Sequence, residues 1–209
     1  MNYLAHIALA GGNAEHQVGG LLGDFVRGPL VGQLSPRIED GIKAHRQLDA
    51  YVDRQPEIKA FLQRFNSPMR RYAGIVADVF YDHLLASDWH RYYRQPLEHF
   101  CQDFYQHLAI YNQQLPPRAQ SFLRHAPQIG WLQSYAQWDS LPLILQRIGQ
   151  RFRRPVALQE ALPIVEQHSA EITDEFHQLY PRLQNFMRHS LHEIELNYAP
   201  NDPARRSLT

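Results

Sequence analysis

Apolar residues recur along most of the chain at three- and four-residue spacing, the period of helices with one buried face. Ile38, Ile42, Leu48 and Val52 share a face, as do Ile75, Val76, Val79, Phe80 and Leu84. Phe100, Phe104, Leu108 and Tyr111 form a third set, and Phe176, Leu179, Leu183 and Phe186 a fourth. No stretch shows the alternation of a half-buried strand. The pattern predicts helices over 2–10, 14–27, 36–53, 55–65, 69–88, 96–113, 117–132, 138–150, 157–168 and 170–190. Ser35-Pro36 and Ser67-Pro68 each offer a capping hydroxyl followed by Pro at the first helical position. Gly28-Pro29 ends the second helix, and Pro116-Pro117 and Arg154-Pro155 break later ones. The expected fold is all-α, a single-domain compact helical bundle over residues 1–198. The polar tail 199–209 has little to bury and is expected to fray.

Composition narrows the function. A chain of 209 residues with 44% hydrophobic and 20% charged residues can bury a full core, which excludes wholesale disorder. The lone Cys101 excludes an internal disulfide and any multi-cysteine metal centre, and on an aromatic helix it reads as a core thiol. No apolar run approaches a membrane span, and MNYLAHIALAGG lacks the basic start of a signal peptide, so a soluble cytoplasmic protein is expected. A formal charge of zero argues against nucleic-acid binding through bulk positive potential. There is no Walker loop, G-x-S-x-G elbow or dinucleotide fingerprint. Lys43 and Lys59 are the only lysines, so the positive charge is almost all Arg. Guanidinium suits bidentate contact with phosphate or carboxylate, although a GC-rich genome gives the same bias.

The polar residues carry the chemistry. At about 100° per residue, with Ile38 at zero, His45 falls at about −20° and Asp49 at about +20°, inside the apolar arc. An imidazole and a carboxylate at i, i+4 thus point the same way, and buried charge needs a partner or a metal. On the fifth helix His83 falls within the apolar arc, with Asp82 and Asp78 at its edge. Imidazole and carboxylate without Cys suit divalent Mn, Fe, Zn or Mg in a catalytic centre. Asp24 lies on the rim of the second helix's apolar face, with Arg27 three residues on. Gly19, Gly20 and Gly23 let a helix or ligand approach closely there. The first helix offers His6, on a segment too short to fix its facing. A structural alternative has Arg46, Arg54, Arg70 or Arg71 neutralising the aspartates. The stretch RIGQRFRRP, with Arg147, Arg151, Arg153 and Arg154, is either a solvated helix end or a docking patch for an acidic partner.

The segments MNYLAH, LLGDFVRG, GIKAHRQLDAYVD and DVFYDHLLASDW together resemble the acyl carrier protein phosphodiesterase family, over most of the chain and thinning after about residue 190. The resemblance implies an all-helical, cytoplasmic enzyme divergently related to HD-type phosphohydrolases. It also implies hydrolysis of the phosphodiester joining 4′-phosphopantetheine to a serine of holo-acyl carrier protein, with a divalent metal, typically manganese. One departure is that the tandem here runs Asp82-His83, the reverse of His then Asp. Taken with the residues, the resemblance places one or two metal ions among Asp24, His45, Asp78, Asp82 and His83, with His6 as a further ligand. Asp49 then coordinates or orients His45, Arg27 and Arg46 hold the phosphodiester, and Arg151, Arg153 and Arg154 face the acidic carrier protein. Two other readings stay open: a metal phosphohydrolase acting on a nucleotide or other small phosphodiester, and a non-catalytic helical interaction protein.

Overall fold

A computed structural model describes residues 3–198. Among them the chain is all-α, with no strand. Ten α-helices follow in order: α1 Tyr3–Leu9, α2 Ala14–Leu22, α3 Pro36–Val52, α4 Pro56–Gln63, α5 Ala73–Ser87, α6 Leu97–Ile110, α7 Pro117–His125, α8 Leu141–Gly149, α9 Leu162–Gln167 and α10 Ser169–Tyr198. Short 3-10 turns link several of them. The tail 199–209, expected to fray, lies outside the described residues.

Two starts obey their local chemistry, whereas at Ser67-Pro68, where a hydroxyl cap is expected, Pro68 itself precedes the 3-10 turn and no side-chain cap bond forms. The Ser35 hydroxyl accepts the Ile38 amide at 3.3 Å ahead of Pro36, and Asn13 caps α2 by accepting the Glu15 and His16 amides at 2.9 and 3.1 Å. The stops differ more from the sequence pattern. α2 ends at Leu22, five residues before the expected 27, where the chain enters a turn whose Phe25 and Val26 amides both reach the Leu22 carbonyl. The segment expected as one helix over 69–88 is a 3-10 turn, Met69–Tyr72, followed by α5. α7 stops at His125 because Pro127 cannot continue it, and Gly130 then takes a left-handed φ of 56°. Pro163 likewise confines α9 to Leu162–Gln167, behind a 3-10 turn Leu158–Ala161. α10 runs past the expected 190 and tolerates Pro181 inside it. Its apolar stripe, Phe176, Leu179, Leu183, Met187 and Leu191, is buried along that length, so tertiary packing holds it helical.

α1 is the hub, with Leu4 to Leu9 all buried against α2, α5 and α10. α10 crosses α3 and α4. There Tyr51 stacks on Phe186 at 4.1 Å, Arg64 forks onto Glu175 at 2.7 and 3.1 Å, and Arg182 pairs with Glu57. These bidentate or shielded pairs fix the long helix better than solvated ones could. Cys101 is buried in the core, as expected.

Candidate metal centre

Glycines set the geometry. α2 and α3 meet backbone to backbone: a Cβ on Gly19 would lie 2.3 Å from the Ile38 carbonyl oxygen, and one on Gly41 would lie 2.5 Å from that of His16. This contact carries His45, one turn after Gly41, against the end of α2. His45 Nδ1 donates to the Gly20 carbonyl at 2.8 Å, and the ring fills the space at Gly23, where a Cβ would come within 2.2 Å of it. The close approach expected at these glycines is therefore made by a helix and an imidazole.

His6 of α1 stacks on His45, ring centroids 3.7 Å apart and planes 25° from parallel. Both rings are buried, and each turns Nε2 to a different oxygen of Asp49, His6 to Oδ1 and His45 to Oδ2, both at 3.2 Å. One ligand atom from each residue lies within 4.8 Å of the other two. Asp49 is half exposed, at 48% of its side-chain surface, so the cluster opens to solvent on this side. The helical period had put Asp49 deeper in the core.

The electrostatics follow from this arrangement. Burial, with His45 alongside, pushes the His6 pKa down to about 3, against the pull of Asp49. Burial works against the Asp49 carboxylate, but hydrogen bonds from His45 and His6 outweigh it and hold the group well below the usual range. The His45 Nδ1 hydrogen is committed to a carbonyl, so Nε2 faces a carboxylate either as a second N–H or as a lone pair. A lone pair beside a carboxylate oxygen calls for a cation between them. Two imidazoles and a carboxylate, one ring oriented by a backbone carbonyl, are a donor set that could hold a divalent metal ion.

Asp24 lies in the turn after α2, not on the helix face that the sequence suggested, and no Asp24–Arg27 ion pair forms among the described residues. Its carboxyl is pushed up by desolvation and by Asp49 and Asp78, while His45 draws it down, so it belongs to the same electrostatic cluster. Arg46 donates to the Val26 carbonyl at 3.0 Å and pins that turn; Arg27 is exposed on it.

The pair on α5 goes elsewhere. Asp82 is fully buried and accepts the Leu4 and Ala5 amides at 2.8 and 3.1 Å, capping α1; burial pushes its carboxyl up to about 7. His83 turns to the Tyr135 carbonyl at 2.8 Å, and desolvation lowers its pKa. Helical arithmetic puts His83 within the apolar arc and Asp82 at its edge; the structure buries Asp82 fully and His83 only in part, and neither joins the cluster of His6, His45 and Asp49. Asp78, half-buried, is within electrostatic reach of Asp24.

A cavity of about 500 Å³, which the sequence gave no means to locate, is lined in part by Tyr3 of α1 and by Phe25, next in the chain to Asp24. Tyr3, Phe25 and Phe122 pack together in its wall, Tyr3 stacked on Phe25 at 5.8 Å and edge-on to Phe122 at 5.5 Å. Arg118, Arg147 and Arg151 also line it, and the Arg147 guanidinium lies over Trp131 at 5.8 Å. Burial and Asp24 raise the Tyr3 hydroxyl while Arg151 lowers it, so Tyr3 feels both Asp24 and the arginines of the cavity. Arg153 and Arg154 are exposed in the loop after α8. Among these residues Arg147 and Arg151 carried a sequence signal, in the arginine-rich RIGQRFRRP; Arg118, Phe122 and Trp131 carried none.

No helix among the described residues is long and apolar enough to cross a membrane. No solved structure matches the chain, so the expected kinship with HD-type phosphohydrolases has no structural comparison behind it. Curated relatives named acyl carrier protein phosphodiesterase do match. That of Serratia proteamaculans is 33% identical over 186 residues, covering 88% of this chain and 95% of the relative. That of Yersinia pestis is 32% identical, covering 90% and 98%, and that of Escherichia coli O157:H7 is 32% identical, covering 88% and 95%. Residues 1–183 also match the acyl carrier protein phosphodiesterase family as a whole, and the chain belongs to that family.

Proposed function

We propose that this protein hydrolyses the phosphodiester linking 4′-phosphopantetheine to a serine of holo-acyl carrier protein, releasing apo-carrier protein and 4′-phosphopantetheine in the cytoplasm. The observation that carries the reading is the convergence of His6 and His45 on Asp49, open to solvent, in a chain of this family. His6, His45 and Asp49 are the proposed metal ligands, with Asp24 beside them, and manganese is the proposed ion; magnesium, iron or zinc would meet the same donors. A divalent ion bound there supplies Lewis acidity at a phosphoryl oxygen and acidifies a water.

The chain's own residues do the rest. The Gly20 carbonyl and the Gly23 gap fix His45, so its Nε2 needs no reorientation when substrate arrives. Asp49 holds both imidazoles in register. Asp24, whose carboxyl is raised by desolvation and by Asp49 and Asp78, is the proposed acceptor of the attacking water's proton. A new bond then forms from water oxygen to phosphorus, the bond to the serine oxygen breaks, and that oxygen takes a proton. Arg46, pinned by one N–H to Val26, has further donors for the phosphodiester, and Arg27 on the same turn adds charge. Arg151, Arg153 and Arg154 supply the basic surface for the acidic carrier protein.

Intact mass of holo-acyl carrier protein after incubation with the protein and Mn²⁺, with an EDTA control, tests the reading. Metal-dependent loss of one phosphopantetheinyl group is expected. An unchanged mass with folded, metal-loaded protein overturns it in favour of a smaller phosphodiester substrate.

A further inference from the structure

The cavity at Tyr3 and Phe25 is unusual in what lines it. Its walls are aromatic, and Ile129 stands at its edge 58% exposed, a large apolar side chain left open to water. Its charged lining residues are arginines, Arg118, Arg147 and Arg151, and none is acidic. Two of its lining residues neighbour the candidate metal centre along the chain, and one of them, Tyr3, is within electrostatic reach of Asp24. Phe25 follows Asp24 in the chain, and Tyr3 lies one helical turn before His6. A volume of about 500 Å³ lies in the range of about 300–1,000 Å³ that suits a small organic ligand.

We infer that this cavity receives the pantetheine arm of the substrate, a flexible, uncharged chain of two amides with an anionic phosphate at one end. The inference rests on the proposed function and adds to it the place where the prosthetic group lies. Aromatic rings offer apolar cover to the methylenes and geminal methyls, and arginine N–H groups meet the amide carbonyls. The phosphate end lies towards Tyr3 and Arg151, and the thiol end towards Trp131. The arginines complement the phosphate charge, and a cationic ligand would be repelled. The carrier protein itself is too large to enter and rests outside, on the side of Arg153 and Arg154.

Ser121, half-buried on α7 in the cavity wall and outside the catalytic cluster, gives the test. Ser121→Trp fills the cavity without touching His6, His45, Asp49 or Asp24. Binding of free pantetheine to the Mn²⁺-loaded protein is measured by calorimetry. Turnover of holo-acyl carrier protein, and its inhibition by apo-acyl carrier protein, are measured in parallel. Pantetheine is expected to bind the parent protein and to lose at least tenfold in affinity in Ser121→Trp. KM for the holo-carrier should rise at least tenfold while the apo-carrier inhibition constant stays within twofold. Equal pantetheine affinity in the two proteins, or no binding to either, overturns the inference. So does a rise confined to the apo-carrier constant, which would assign the cavity to the carrier surface. Arg147→Ala, an exposed change expected to weaken pantetheine binding at least threefold, decides the matter if Ser121→Trp does not fold. Should pantetheine bind as expected while the parent protein releases nothing from holo-carrier, the proposed reaction falls and the cavity assignment stands.

Discussion

His45 and His6 sit in the same stack but stand differently with respect to protons. His45 has one nitrogen committed to the Gly20 carbonyl and the other to Asp49, whereas His6 makes its one hydrogen bond to Asp49 and leaves Nδ1 buried without a partner. Burial and the neighbouring imidazole hold His6 neutral, with its pKa down at about 3. An unfolded histidine titrates near 6.5, so between these values the unfolded chain takes up a proton that the folded one refuses. Folded stability therefore falls as pH drops from about 6.5 towards about 3. Asp49, held low, adds a loss that sets in only as pH falls through the ordinary carboxylate range and below. Urea unfolding in EDTA at pH 7.5 and 4.5 is the check, with His6→Gln as the comparison. The parent should lose on the order of 2 kcal/mol more than the variant across that interval. Equal losses would mean that His6 takes up its proton in the folded state.

At the level of elements, α1 shows what the sequence could and could not disclose. Seven residues are too few to hold a helix alone, so α1 exists because its neighbours fix both its face and its start. Asp82 supplies the start, accepting two amides in a fully buried setting. Asp82→Ala should cost about 3 kcal/mol, through two orphaned amides and the loss of a cap, and should loosen His6 along with α1. A lowered urea midpoint at unchanged slope, with weaker Mn²⁺ binding in calorimetry, is the expected pair of results. Loss of metal with the midpoint retained would instead make Asp82 a ligand. Helical arithmetic found His45 and Asp49 because α3 is long and its apolar arc well populated. The same arithmetic ranked His83 as deeper than Asp82, the reverse of what is found, and could not name their partners, since an angle on a helix says which way a side chain points and not what meets it. Asp82 met the α1 amides and His83 met the Tyr135 carbonyl, both from distant parts of the chain. Asp24 stood out in the sequence as a candidate but not as a turn residue, because nothing in LLGDFVRG marks where helical hydrogen bonding stops. The aromatic cavity needs Tyr3, Phe25, Phe122 and Trp131 together, and no local pattern joins four such positions. Family resemblance supplied the reaction, which spacing alone left open.

Across the whole molecule, a formal charge of zero conceals a local gathering of arginines. Arg118, Arg147 and Arg151 line one cavity, and Arg153 and Arg154 continue the basic run on the exposed loop that follows. None of these five makes a salt bridge among the described residues, in contrast to Arg64 and Arg182, which are spent on holding α10. Unpaired surface arginines contribute little to folding but set a local positive potential, which steers an acidic partner and is screened beyond about 10 Å at 0.1 M salt. Replacing Arg153 and Arg154 together by Glu should therefore change unfolding by no more than about 0.5 kcal/mol. It should raise KM for holo-acyl carrier protein several-fold at low salt, with kcat unchanged, because encounter weakens while the proposed centre at His6, His45 and Asp49 is untouched. The difference from the parent should shrink as salt rises. Steady-state kinetics at 20 and 300 mM NaCl would read both effects, and an unchanged KM at the lower concentration would move the docking surface away from this loop.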